Sequence, residues 1–407
     1  MSVPVLFLVV SVIGLLFTLN ALKPVPFEPL SVFTFFAGWL TSELPVHHFI
    51  WQLLATIGFL WAGALEDTAG WIGLGLTLVS WVGLAFLVRQ AQRAEEVLED
   101  ALVEALGSDY RERMAPGLTA EQGTPKAWRR LILPFRFKDP DVEKVKDIAY
   151  IDDGRRAHRL DVYRPRDHRS DCPVLVYVHG GAWVMGDKRE QGMPMMLHLA
   201  AHGWVCFAVN YRLSPKATFP DHLDDVLASL RWVKEHAAEY GGDPDFVAIS
   251  GGSAGGHLTA LAALTDDTVD TGVPIYGVYD FTNRDGLRSD GYIKYFLERQ
   301  VMKVPFKTNR EAYEQASPID RVHADSPPMF VIHGAHDSLV PVQEARTFVW
   351  ALRETGATVA YAELPGAQHA FEVFRSLRTA HVVDAIARYL AVQVAGARAR
   401  QPQPTDV

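Results

Sequence analysis

The sequence predicts an α/β protein, a mostly parallel central sheet with helices on both faces, preceded by a transmembrane helical region. Two observations carry that reading. Near the amino terminus, Met1–Leu22, Leu44–Leu65 and Thr68–Val88 contain no Asp, Glu, Lys or Arg, and each is about the 20 residues that cross a hydrocarbon core. From about Val145 onward, short runs rich in Val, Ile, Phe and Tyr alternate with helix-like stretches, the signature of a parallel sheet covered on both sides.

Residues 1–90 form the transmembrane region, with about three spans. The first run lacks the basic start ("MSVPV") and the small-x-small site of a cleaved signal, so it is expected to remain as an anchor. "SVFTFFAGWL" at Ser31–Leu40 is too short to span and reads as an interfacial or re-entrant segment. Glu66 and Asp67 separate the second and third runs, while Arg89 and Arg93 follow the third. Because positive residues favour the cytoplasmic side, the amino terminus is placed outside and everything after Val88 in the cytoplasm. His47, His48 and Trp51 suit an interfacial position.

Residues 91–142 are an amphipathic linker or cap. Val97, Leu98, Ala101, Leu102, Ala105 and Leu106 fall at helical spacing before a candidate C-cap, Gly107. "AWRRLILPFRF", Ala127–Phe137, mixes arginines with large apolar side chains and either lies on an anionic membrane surface or packs over the next domain.

Residues 143–396 form the second domain, and 397–407 a disordered tail. The strand candidates are "RLDVYRP", "PVLVYVHGG", "WVCFAVNYR", "DFVAISGG", "VPIYGVYD", "MFVIHGAHD" and "TVAYAELPG". Helices are expected at His222–Tyr240, Ala254–Thr265, Val342–Thr355 and Ala380–Ala395. The stretch 281–322 interrupts this rhythm and is a cap insertion. Its Tyr292, Tyr295 and Phe296 either line a pocket or form the cap's own core.

The net charge of −9 and the absence of a basic stripe exclude a nucleic-acid partner. The two cysteines, Cys206 in an apolar run and Cys172 before a proline in a loop, make neither a disulfide framework nor a metal site.

Chemistry in such a sheet gathers at the carboxyl ends of the strands. "SGGSAGGH", Ser250–His257, joins "DFVAIS" to "HLTALAAL". Gly251-Gly252-Ser253-Ala254-Gly255 matches a G-x-S-x-G turn, in which small neighbours allow a sharp bend that lifts a serine hydroxyl above the sheet. Ser250 reads as a buried strand-end hydroxyl. "HGGAW", His179–Trp183, follows another strand, so the N–H groups of Gly181, Ala182 and Gly180, with that of Ala254, are candidate oxyanion donors. His179 reads as structural. An acid and then a histidine are expected in later strand-end loops, at Asp337 ("HGAHDSLVP") and His369 ("PGAQHAF"), with His333 and His336 as decoys. Asp243 and Asp161 read as turn and strand-entry residues.

With "HGGAW", "GGSAGG", "YRLSP" and "HD-x-x-VP" in this order, Val145–Leu390 resembles an α/β-hydrolase of the hormone-sensitive-lipase-like carboxylesterase and lipase branch. The chain as a whole is similar to membrane-anchored esterases of actinobacteria. Two positions depart from the family pattern: Ala182 replaces a third glycine, and Gly252 stands where many members carry aspartate. The resemblance implies a serine ester hydrolase with Ser253 as nucleophile, His369 as base and Asp337 as its orienting acid, working without cofactor or metal on a small-molecule or lipid ester at the membrane. An amidase or formamidase with the same triad, and a non-catalytic scaffold, are the alternatives.

Overall fold

The structure is a computed structural model describing residues 1–24, 28–119 and 131–400. Every strand segment expected from the sequence is a strand: β2 (Arg159–Pro165), β3 (Cys172–Val178), β4 (Val205–Val209), β5 (Gly242–Gly252), β6 (Thr271–Ile275), β7 (Met329–Gly334) and β8 (Val359–Leu364). They are joined by β1 (Val142–Ala149), a charged segment that the sequence reading passed over. It lies at the sheet edge, where lysine and glutamate blunt an open row of backbone groups. The order is β1-β2-β4-β3-β5-β6-β7-β8. β2 is antiparallel to both β1 and β4, and the pairs from β4 through β8 are parallel.

Both faces of this sheet are buried, which is why its strands read as nearly continuous apolar runs. Along β3, Val174, Val176 and Val178 point into one core, packed beneath the helices Asp221–His236, Ala254–Thr265 and Val342–Glu354. Leu175 and Tyr177 point into the other, beneath Met193–Ala201 and Leu377–Arg400. Cys172 opens β3 and, like Cys206, is a buried free thiol, so the loop expected at Cys172 is a strand. The last helix continues to Arg400, which corrects the tail expected from residue 397; residues 401–407 of that tail lie outside the described residues.

Among the described residues four long helices precede the sheet: α1 (Val3–Leu22), α2 (Glu28–Glu43), α3 (Pro45–Trp61) and α4 (Thr68–Leu106). The boundary expected at residue 90 falls inside α4, a single 39-residue helix with Gly107 as its C-cap at φ 89°. Its second half is a layer of the sheet domain, with Ala94, Leu98, Ala101 and Leu102 in the second core. Part of the "AWRRLILPFRF" segment, residues 127–130, lies outside the described residues.

The first half of α4 pairs with α1. Thr77 Oγ1 donates to Ser11 Oγ at 3.0 Å, and Thr18 Oγ1 and Ser80 Oγ are 2.8 Å apart. Positions therefore advance together along both helices, which run parallel. α3 runs back: Phe49 meets Trp81 at 5.1 Å between ring centroids, and Phe59 meets Phe7 at 5.3 Å. Among the described residues two helices, α1 and α4, are long and apolar enough to cross a membrane. α3, the helix at the span expected over Leu44–Leu65, has 17 residues, about 25 Å at ~1.5 Å per residue. α2, at 16 residues longer than the segment expected from the sequence, crosses the end of α1 where Asn20 Nδ2 donates to the Thr34 carbonyl at 2.8 Å.

Candidate active site

The glycines of "SGGSAGGH" are dictated by contact as much as by conformation. A Cβ on Gly251 would lie 2.4 Å from the Val178 carbonyl oxygen, and one on Gly255 2.1 Å from the same atom. β5 therefore turns into the helix Ala254–Thr265 directly over the end of β3. At the apex Ser253 adopts φ 59° and ψ −123°, a region costing a non-glycine residue about 1–3 kcal/mol. Its N–H donates to the Ile275 carbonyl at 3.0 Å, and its carbonyl accepts from His257 N–H at 2.9 Å. Its side chain is half-buried. Ser250, three residues earlier on β5, is fully buried and donates to the Val273 carbonyl at 2.8 Å, the structural role read from its position.

The loop after β3 lies against this apex: a Cβ on Gly180 would sit 3.1 Å from Ser253 Cβ. Among the described residues no protein acceptor takes the N–H of Gly181, Ala182 or Ala254. Gly180 differs. Its N–H donates to Gln191 Oε1 at 2.7 Å, which removes it from the expected set of oxyanion donors. His179 is buried, stacked on Tyr211 at 4.5 Å, and holds the Gly180 carbonyl through Nδ1 at 2.8 Å. Burial pushes its pKa down to about 4, so the ring is a neutral brace for the loop.

Asp337 and His369 come together from the loops after β7 and β8, with Nδ1 of the imidazole 2.6 Å from Asp337 Oδ2. Oδ1 of the same carboxylate accepts from Leu339 N–H at 2.9 Å and Val340 N–H at 2.8 Å. Burial alone raises the Asp337 pKa, but the charge of His369 and hydrogen bonds from His333 and His369 outweigh it and hold the carboxyl well below its ordinary range. His333, one of the decoys, thus has a place: its Nε2 lies 3.2 Å from Asp337 Oδ2. Asp161 is more than a strand-entry residue, being a fully buried carboxylate that pairs with Lys144, Lys188 and Arg189 and accepts from Asp147 N–H at 2.9 Å. Asp243 closes a turn by accepting from Asp245 N–H at 2.9 Å.

Ser253 Oγ makes no hydrogen bond to the imidazole here; such contacts commonly tighten only when substrate binds. Tyr276 brings the two neighbourhoods together. Its ring packs 4.5 Å from that of His369, and its hydroxyl would be 2.4 Å from a Cβ on Gly252. The space beside Gly252 is therefore filled by Tyr276, the residue that follows β6. The Tyr276 hydroxyl donates to buried Glu372, which also accepts from Tyr177 at 3.3 Å. Gln368 ties the acid and base loops together, its Oε1 accepting from Ser338 N–H at 2.7 Å and His369 N–H at 2.9 Å. Tyr276, Glu372, Gln191 and Gln368 were not singled out from the sequence. Only Gln368 carried a signal, its adjacency to His369.

In the cap, Phe296 reaches the site's edge, 6.4 Å from Trp183 between ring centroids, and packs 5.5 Å from Tyr292. Tyr295 is 57% exposed, with Arg299 over its ring. Among the described residues no group of three His, Cys, Asp or Glu side chains is placed to hold a metal ion.

Residues 160–352 match the BD-FAE family. The chain is 41% identical to the probable carboxylic ester hydrolase LipM of Mycobacterium tuberculosis, over 94% of this chain and 92% of that protein. The chain belongs to the α/β-hydrolase carboxylesterase family. It is a carboxylic ester hydrolase of the hormone-sensitive-lipase-like branch. Esterase LipQ of the same organism is 38% identical over 88% of this chain and 83% of that protein. Among solved structures, the esterase of Pyrobaculum calidifontis aligns with 63% of this chain and 84% of its own, with a TM-score of 0.51 and 25% identity. The match to LipM covers 94% of this chain, against 63% for the solved esterase.

Proposed function

We propose that this esterase is a membrane-anchored serine hydrolase of hydrophobic or lipid esters, with its catalytic domain on the cytoplasmic side. The observation that carries the mechanism is the 2.6 Å contact between His369 and Asp337, beside a serine held at positive φ on a strand-to-helix turn. Ser253 Oγ attacks the ester carbonyl carbon as His369 Nε2 takes its proton. The carbonyl oxygen, now negative, accepts hydrogen bonds from the N–H groups of Gly181, Ala182 and Ala254. The tetrahedral adduct collapses, the bond to the alcohol oxygen breaks, and His369 returns the proton to that oxygen. A water molecule repeats the sequence on the acyl-serine, releasing the carboxylic acid and restoring Ser253. Asp337, ionised throughout, holds the imidazole in the tautomer that leaves Nε2 unprotonated. Anchoring is supported by the uncharged lengths of α1 and α4 and by the arginines that follow at Arg89 and Arg93.

The test is hydrolysis of p-nitrophenyl esters from acetate to palmitate by the purified protein beside Ser253→Ala. Loss of about 10⁴–10⁶-fold in kcat with an unchanged melting temperature is expected. A variant that keeps its rate removes Ser253 from the mechanism.

A further inference from the structure

α2 has two unlike faces. Phe35, 5% exposed, meets the His369 ring edge-on at 6.1 Å. One turn on, Trp39 Nε1 donates to the Ala370 carbonyl at 2.8 Å and its ring packs 5.1 Å from Phe374. At the end of the helix Glu43 forms a fully buried ion pair with Arg378. On the adjoining face, at helical spacing, Phe33, Phe36 and Leu40 are 77%, 61% and 39% exposed. Across Phe374 from Trp39 stands Phe135, 60% exposed, its ring 5.3 Å from that of Phe374. Large apolar side chains from two sequence-distant segments thus surround the His369 loop.

An exposed apolar rim of this kind marks a surface that meets something other than water. α2 crosses the end of α1 at Asn20, and α3, which starts two residues after it, begins with exposed Val46 and Ile50. The rim therefore continues the apolar surface of the helices that reach the membrane.

We propose that α2 is the interfacial wall of the catalytic mouth, and that the substrate is an ester whose long hydrocarbon chain stays in the adjoining leaflet while its carbonyl reaches Ser253 beneath Phe35. This rests on the membrane-anchored Ser253 reading above. Phe33 and Phe36 touch the bilayer, and Phe35 touches the site. The bilayer presents the substrate already oriented, chain outward and ester at headgroup depth, so no step lifts a hydrocarbon chain through water, where apolar surface is unfavourable.

The experiment uses the full chain in phosphatidylcholine vesicles, with p-nitrophenyl palmitate dissolved in the bilayer and p-nitrophenyl acetate in the water. The double variant Phe33→Ser/Phe36→Ser is expected to lose at least about tenfold in palmitate turnover, mostly in KM, while acetate turnover stays within about twofold. Phe33→Leu/Phe36→Leu restores palmitate turnover. Unchanged palmitate turnover in the serine variant overturns the proposal, as does an equal loss on both esters, which makes the stripe merely structural. Conversion of a dimer to a monomer with palmitate turnover intact assigns the stripe to contacts between copies and also overturns it. Persistence of either activity in Ser253→Ala defeats the catalytic reading instead, so the two failures are distinguishable.

Discussion

The turn at Ser253 and the helix α2 both belong to the surroundings of His369, yet they are held in opposite ways. Around Ser253 the restraints are backbone against backbone: carbonyls of β3 press so closely on Gly251 and Gly255 that no Cβ fits. α2 is held by side chains reaching across the chain, Trp39 to a partner 331 residues away and Glu43 to one 335 residues away. The first arrangement needs particular residues at adjacent positions and leaves a motif. The second needs only compatible partners anywhere in the sequence, and leaves none.

That contrast predicts that damage to the sheet domain's loops abolishes chemistry while leaving the fold, whereas damage to α2's anchors loosens one helix. The largest effect is expected for Asp337→Asn. A neutral amide favours the wrong imidazole tautomer, and kcat should fall about 10⁴-fold with KM little changed. A decrease under tenfold would mean that His369 is oriented by other groups, His333 among them.

Next, Glu43→Gln leaves the Arg378 guanidinium buried without a counter-charge, which costs about 3–5 kcal/mol. A lowered melting temperature and faster hydrogen exchange confined to α2 and the residues around Phe374 would support two separate modes of attachment. Loss of protection spread over β3 and β5 would erase the distinction.

A smaller effect sharpens the picture from within the sheet domain. Burial pushes the pKa of His179 and His222 down to about 4 and that of His257 down to about 3. Between those values and the ordinary ~6.5 the unfolded chain binds more protons than the folded one, so stability rises with pH. Taking the enzyme from pH 7 to 5 should cost about 2 kcal/mol for each of these histidines. Asp337, whose pKa is depressed, adds no loss in that window, because its contribution disappears only as pH falls below the ordinary carboxylate range. Thermal melts over this range that stay flat would contradict the burial of all three rings. The smallest effect belongs to Tyr295→Ala, which should leave stability within about 0.5 kcal/mol and chain-length preference unaltered. A shifted preference would return this cap tyrosine to the acyl pocket.

Much of the site was legible because its signals are local. Ser253, the loop at His179–Trp183, Asp337 and His369 each follow an apolar strand run, and in a parallel sheet the strand ends share one edge. The parallel strands were legible for the same reason, since burial on both faces leaves unbroken apolar runs. β1 was missed because its two lysines, glutamate and aspartate obey the rules of an exposed edge, and the expected break near residue 90 falls inside α4 because a helix changes solvent without changing its backbone. Gly180 shows the limit of a motif: its spacing suits an oxyanion donor, but Gln191, eleven positions on, takes its N–H.

The order of helices and strands, the apolar lengths at the amino terminus and the four loops of the site are written into the chain, because each depends on residues within a few positions of one another. The placement of Phe35 against His369, of Tyr276 in the space beside Gly252 and of α4 in the second core depends on which distant surfaces meet when both faces of the sheet are covered. Those contacts arise from packing among some of the most widely separated parts of the chain, and packing of that kind exists only once the chain has folded.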